Sequence, residues 1–138
     1  MLDRPARVNL TTSAGSELDM HATAQGKVAL AFGPASLMQN LAQRKLVART
    51  NRTITRYKRL EAEVSAIRAK GWAGCFEEDT LGANAIAVPI FDMSGELFAV
   101  LALIGFTHEL PSRPPGKTIA ALKAAAREIS DRLFSALT

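Results

Sequence analysis

Cysteine is almost absent from this chain. Cys75 is the single thiol in 138 residues, so no disulfide can form within the chain, and such usage suits the reducing cytoplasm expected as its location. Histidine is scarce too, with His21 and His108 only. Neither stands at a metal-ligand spacing from Cys, Asp or Glu, so no metal or other cofactor is expected. No apolar run reaches the roughly 18 residues that a membrane span needs. The opening MLDRPARVNLTTSAG has no apolar core of a signal peptide, so neither secretion nor a membrane partner is expected. Aromatic residues make up 6% of the chain, and Tyr57 stands alone in the most basic stretch, which disfavours base stacking there.

What is present describes a globular chain. Hydrophobic residues make up 48% and charged residues 22%, a balance that builds a core rather than a disordered tail. The length is that of one domain, assigned here to residues 1–138, which should bury roughly two-thirds of its unfolded surface. The net charge of +4 is uneven. Arg44, Lys45, Arg49, Arg52, Arg56, Lys58, Arg59, Arg68 and Lys70 face only Glu61 and Glu63 in the same stretch. Such a block either attracts phosphate backbone or forms a solvated helix-and-loop face, and the lack of interleaved aromatics favours the second.

Periodicity divides the chain into helices followed by strands. Arg7–Thr11 is a short strand candidate. Residues 21–33 read as a helix ended by Gly33-Pro34, with a second from about Pro34 to Gln43. A third carries the stripe Leu60, Val64, Ile67, is capped by Thr53 or Thr55, and stops at Gly71. Then the period changes. Trp72–Glu77 is a short strand, and NAIAVPIF (84–91) and ELFAVLALIG (96–105) are apolar strands joined by the turn Asp92–Gly95. Pro89 cannot donate to a ladder, which places it at an edge or a bulge. The second hairpin strand is apolar on both alternating faces, so it needs cover on both, or on one with a ligand on the other. A proline-rich loop, 107–117, leads to a last helix in which Ile119, Leu122, Ala126, Ile129, Leu133 and Leu137 recur at three and four. The class is α+β, an antiparallel sheet with helices packed on it.

The stretch HATAQGK, His21–Lys27, looks most like chemistry. It is no phosphate loop: that motif has a Gly five residues before the Gly of Gly-Lys and a Ser or Thr after the Lys, where this chain has His21 and Val28. A catalytic His21 would need partners. Cys75 as a nucleophile and Glu77, Glu78 or Asp79 as general acids are the groups at hand, but a buried thiol is usually inert and an acidic strand end is usually solvated. What remains is a helix start whose small side chains let a ligand or a backbone come close and whose leading N–H groups favour an anion.

These residues resemble a known family. MHATAQGKVALAF, IRAKGW and EEDTLGANAIAVPIFDMSGELFAVLALIG together resemble the C-terminal effector-binding domain of IclR-type bacterial transcriptional regulators. The pattern is a His-Ala-x-x-x-Gly-Lys helix start, an Arg-x-x-Gly-aromatic step, a Glu-x-x-x-Gly loop (Glu78, Gly82) and an Asp-x-x-Gly turn (Asp92, Gly95) between paired strands. The likeness runs from about Gly15 to the end. It implies a GAF-like fold, with the opening part of the domain and the winged helix-turn-helix lying before residue 1. It also implies a small-molecule effector, often an organic or aromatic acid, a homodimer or homotetramer, and DNA contact only through that absent domain. By position the effector would meet Thr23 and Ala24, Cys75, Ala83 and Ala85, and Ala102 and Ile104, while Lys27 would point to solvent or a partner subunit. Ala24→Trp is then expected to spare the fold and abolish binding.

The likeness has one chemical departure. Members that bind small acids often carry Asp where Cys75 stands and Ser where Ala102 and Ile104 stand. The present pocket would therefore suit a larger, more apolar effector, with Trp72 and Phe76 as candidates to stack on a ring, or it would be collapsed. The functions left open are effector sensing for transcription, a free-standing GAF-like ligand module, and a purely oligomerising domain. An enzyme is not expected, because no nucleophile stands at a recognisable spacing from a base.

Overall fold

The computed structural model describes residues 19–135. The strand candidate at Arg7–Thr11 and the last helix position, Leu137, lie outside them. Among these described residues four helices and three strands follow one another as α1 (Ala24–Phe32), α2 (Ser36–Ala42), α3 (Tyr57–Lys70), β1 (Ala73–Phe76), β2 (Ala83–Phe91), β3 (Leu97–Phe106) and α4 (Gly116–Ser135). The strands form one antiparallel sheet in the order β1-β2-β3, so the α+β class expected from the sequence holds.

Each boundary has a local cause. Thr23 caps α1: its Oγ1 accepts from the Gly26 N–H at 3.0 Å. The helix therefore starts three residues later than the periodicity suggested. Helix α3 starts behind Arg56 without a side-chain cap. The two expected caps are elsewhere or engaged otherwise: Thr53 Oγ1 accepts from the N–H groups of Arg49 and Thr50 and donates to the Glu78 carbonyl. Gly71 ends α3 at φ 81°, a left-handed conformation that glycine adopts without strain. Asp92 shapes the hairpin turn, its Oδ1 accepting from the Ser94 and Glu96 N–H groups. Pro89 lies beyond Ala87, the last residue of β2 paired with β1, so the outer edge of β2 is open there and a missing N–H costs nothing. A bulge follows at Ile90/Phe91.

Layers build on the sheet from both sides. On one face α1 lies directly on all three strands, with α2 and α3 behind it. The core there joins Ala24, Val28, Leu30 and Ala31 of α1 to Leu60, Val64 and Ile67 of α3, and to Ala73, Cys75, Ala85 and Ala87 of the sheet. On the other face α4 covers β2 and β3, where Val88, Ile90 and Ala126 are buried, with Trp72, Ala99, Leu101, Leu122 and Ile129 packed around them. Strand β3 is one edge of the sheet among the described residues, and its two-sided apolar pattern is only partly covered: Phe98 is 57% exposed, Leu103 41% and Ile104 45%.

Candidate functional site

The face under α1 collects the residues singled out in the sequence. Register sets them in rows. Cys75, Ala85 and Ile104 lie side by side across the three strands, Ala73, Ala87 and Ala102 form the next row, and Ala83 pairs with Phe106 at the end. Alternation puts all of these on one side of the sheet. Cys75 Sγ donates to the Ala22 carbonyl at 2.9 Å, which ties this face to the turn that carries Thr23 and Ala24 into α1. Thr23, Ala24, Cys75, Ala83 and Ala85 are all buried, Ala102 is half-buried, and Ile104 is the open end of the row.

Small side chains are what bring α1 so close. A Cβ on Gly26 would stand 2.4 Å from the Met20 Cα, so the helix and the turn before it touch backbone to backbone. Ala24 has no exposed surface and sits inside the core. The expectation that Ala24→Trp spares the fold is therefore corrected, since an indole there has to displace the sheet.

The polar groups at the helix start are committed to the fold. Thr23 Oγ1, besides capping α1, donates to the Asp19 carbonyl at 2.9 Å. His21 Nε2 lies 2.8 Å from the Val47 carbonyl, and the ring is buried. It pins the 44–53 loop to the turn before α1, a structural role. Burial pushes the Cys75 thiol up to about 11, with the Glu78 charge adding to the rise and Lys27 opposing it, so the thiol is a poor nucleophile near neutral pH.

Lys27 overturns its expected exposure. Its side chain is 0% exposed, and its ammonium pairs with both Glu63 of α3 and Glu78 of the loop before β2. It also donates to the Gly74 carbonyl of β1 at 3.0 Å. Burial works against the ammonium, but the Glu78 and Glu63 carboxylates outweigh it and hold its pKa above the ordinary lysine value. Glu78 also accepts from the Phe76 N–H at 2.9 Å. One cation thus joins α1, α3, β1 and the 77–82 loop. Sequence reasoning missed it, although Glu63 stood out as one of two acids in a basic block and Glu78 as the acid of the Glu-x-x-x-Gly loop.

The two aromatic candidates for stacking on an effector lie on the wrong face. Trp72 and Phe76 alternate with Ala73 and Cys75, and Trp72 packs with the α4-side cluster under the Lys70 ammonium, 4.0 Å from the ring centroid. Phe76 covers Gly74, where a Cβ would meet its ring at 2.4 Å. Neither reaches the Cys75–Ile104 row. The 77–82 loop is instead held from outside by Thr50 and Thr53, whose hydroxyls donate at 2.6 Å to the Glu77 and Glu78 carbonyls. Glu77 is in the left-handed region at φ 57°, and its carboxylate accepts from the Gly82 N–H at 3.1 Å, closing the loop on itself.

A capped helix start laid on a row of small side chains, with helices on both faces of an antiparallel sheet, has the architecture of GAF-like sensor domains. The sequence profile described as "Bacterial transcriptional regulator IclR C-terminal" matches residues 1–131, and the chain belongs to that family. It is 32% identical over 129 residues to the Pca regulon regulatory protein of Pseudomonas putida, covering 92% of this chain and 44% of that protein. The chain thus spans about half the length of the curated relatives it matches. Among solved structures it is similar to the Thermotoga maritima IclR, at TM-score 0.80 and 31% identity over 92% of this chain and 52% of that one. It is also similar to the inducer-binding domain of PobR from Acinetobacter, a double mutant in complex with 3-hydroxybenzoic acid, at TM-score 0.76 and 26% identity over 93% and 77% of the two chains.

Proposed function

We propose that this domain senses a small organic acid, of aromatic or branched apolar body, on behalf of a transcription regulator whose DNA-contacting part is a separate domain. The observation that carries this reading is the single sheet face on which Cys75, Ala85 and Ile104 line up beside the Thr23-capped start of α1. The solved PobR domain with 3-hydroxybenzoic acid supports the ligand class. The row opens to solvent at its Ile104 end, and the positive end of α1 favours a carboxylate. Thr23, Ala24, Cys75, Ala83, Ala85, Ala102 and Ile104 remain the proposed contacts. The domain works by binding and not by turnover, in the cytoplasm, as a homodimer or homotetramer.

The test is a thermal-shift screen of the chain and of its Ile104→Glu variant against aliphatic and aromatic carboxylic acids. Ile104 is half open to solvent, so the variant folds, while its charge repels a carboxylate at the site. A ligand at a hundred times its Kd stabilises the folded state by about 2.7 kcal/mol. An acid that raises the melting midpoint of the parent chain and not of Ile104→Glu supports the reading. A panel without a hit, or a hit that Ile104→Glu leaves untouched, overturns it in favour of a domain kept for oligomerisation or a pocket elsewhere.

A further inference from the structure

Strand β2 outruns its neighbour. Strand β1 begins at Ala73, paired with Ala87, while β2 continues to Phe91. Helix α3 ends just before, at Lys70, and the last turn of α1 comes down at Phe32. These ends, with α4 across from them, enclose a cleft of about 410 Å³. That falls within the roughly 300–1,000 Å³ usual for small-molecule sites. Its floor is apolar, formed by Val88, Ala126 and the edge-to-face pair Phe32–Phe91, whose ring centroids are 5.5 Å apart. Its charged lining is of one sign: Arg68, Lys70, Lys123 and Arg127, with no carboxylate among the lining residues. The ion pairs of the described residues involve none of these four.

Helix ends explain part of this cluster and leave a remainder. Arg68 Nε donates to the Ala31 carbonyl at 2.9 Å, and Lys123 Nζ donates to the Lys70 carbonyl at 2.7 Å, so each caps the negative end of a helix. A cap uses one N–H of each side chain. The terminal nitrogens of Arg68, the other ammonium protons of Lys123 and the guanidinium of Arg127 are not accounted for by it. Burial holds Lys70 below the ordinary lysine range, with Glu63 opposing and the like charge of Lys27 adding to it. Lys70 Nζ lies over the Trp72 ring, so a cap or a ring accounts for one contact of three of the four cations that line this cleft, and for none of Arg127.

We propose that this cleft is a second ligand site, for a phosphate monoester carrying a small apolar body. The body rests on Phe32 and Phe91, and the phosphate takes paired N–H donors from Arg127 and Arg68 with the Lys123 ammonium beside them, while Lys70, held over the Trp72 ring, adds its charge at the rim. The site lies at the opposite end of α1 from Thr23, about 13 Å along the helix at 1.5 Å per residue. It stands independently of the effector face.

Phenyl phosphate is the probe, titrated into the isotope-labelled chain at low salt and followed by NMR, with inorganic phosphate and benzoate as comparators. The expected result is saturable shifts at Phe32, Phe91 and Arg127, with phenyl phosphate binding at least about tenfold tighter than either comparator. Arg127→Glu, an exposed position, should weaken it by at least about tenfold with the melting midpoint unchanged. Ile104→Glu should leave it unaffected, which separates failure of this site from failure of the effector face. The proposal is overturned if phenyl phosphate causes no saturable shifts, if the shifts fall elsewhere, or if Arg127→Glu binds as the parent does. Inorganic phosphate binding as tightly would also overturn it, by reducing the cleft to an unspecific cationic patch. So would a change in oligomeric state, in place of affinity, in Arg127→Glu.

Discussion

The two faces of the sheet are built to different rules. Under α1 the sheet presents Ala73, Cys75, Ala85, Ala87 and Ala102, the helix packs Ala24, Val28 and Ala31 into the same core, and at Gly26 it touches the turn before it backbone to backbone. Under α4 the sheet presents Ile86, Val88, Ile90, Leu101 and Leu103, and the helix rests on them with Ala126 as its only buried residue. Close approach buries more per residue and excludes water, and it forces every polar group inside to find a partner. His21, Thr23, Lys27 and Cys75 have all done so. The α4 face leaves clefts and exposed cations instead. Alanines thus dominate the sheet's contribution to the tight face, and large aliphatic residues its contribution to the loose one.

Breaking the Lys27 cluster should show the contrast most strongly. Lys27→Met removes the one cation between two carboxylates, and removing one partner of a buried pair costs about 3 kcal/mol or more. Glu63 stays partly hydrated, at 34% side-chain exposure, which keeps the loss near the lower figure. Urea unfolding of the variant checks it, and a loss below about 1 kcal/mol, the scale of a surface pair, would mean the cluster behaves as one. The same pair sets an alkaline limit. The folded-state pKa of Lys27 lies above the unfolded value, so its contribution is fully present below about pH 10.4 and fades as pH rises through the folded pKa.

Truncations sharpen the comparison further. Leu60→Ala, on the α1 side with 0% exposure, should cost about 3 kcal/mol, whereas Ile129→Ala on half-buried α4 should cost about 1–2 kcal/mol. Equal losses in denaturant titration would show that α4 packs as tightly as α1. The smallest effect concerns Cys75. Its thiol, raised to about 11 and buried, should react with iodoacetamide at pH 8 far more slowly than the same cysteine in urea. Equal rates would mean that the α1 face opens readily.

Much of this was legible in the sequence, for reasons that are local. The α3 stripe Leu60, Val64, Ile67 is buried as its spacing implied, and the hairpin around Asp92–Gly95 forms with its strands displaced by one residue at most. The row Cys75, Ala85, Ile104 was reached through the family resemblance and falls on one face. The failures are of another kind. Thr53 looked like a cap because it precedes a helix, but the Glu78 carbonyl, 25 residues away, engages its hydroxyl. Trp72 and Phe76 looked like pocket aromatics by proximity, and strand alternation put them on the opposite face.

By itself the sequence determined the elements, their order and the family, because hydrophobic period, turn chemistry and motif spacing act over a few residues at a time. Only the tertiary structure decided the fate of the charges. Lys27 meets Glu63 and Glu78 across 36 and 51 positions of chain, and Arg68, Lys123 and Arg127 come to line one cleft beside the stretch of β2 that outruns β1. A charge takes its role from whatever comes near it in space, and nothing local in the sequence encodes that neighbour.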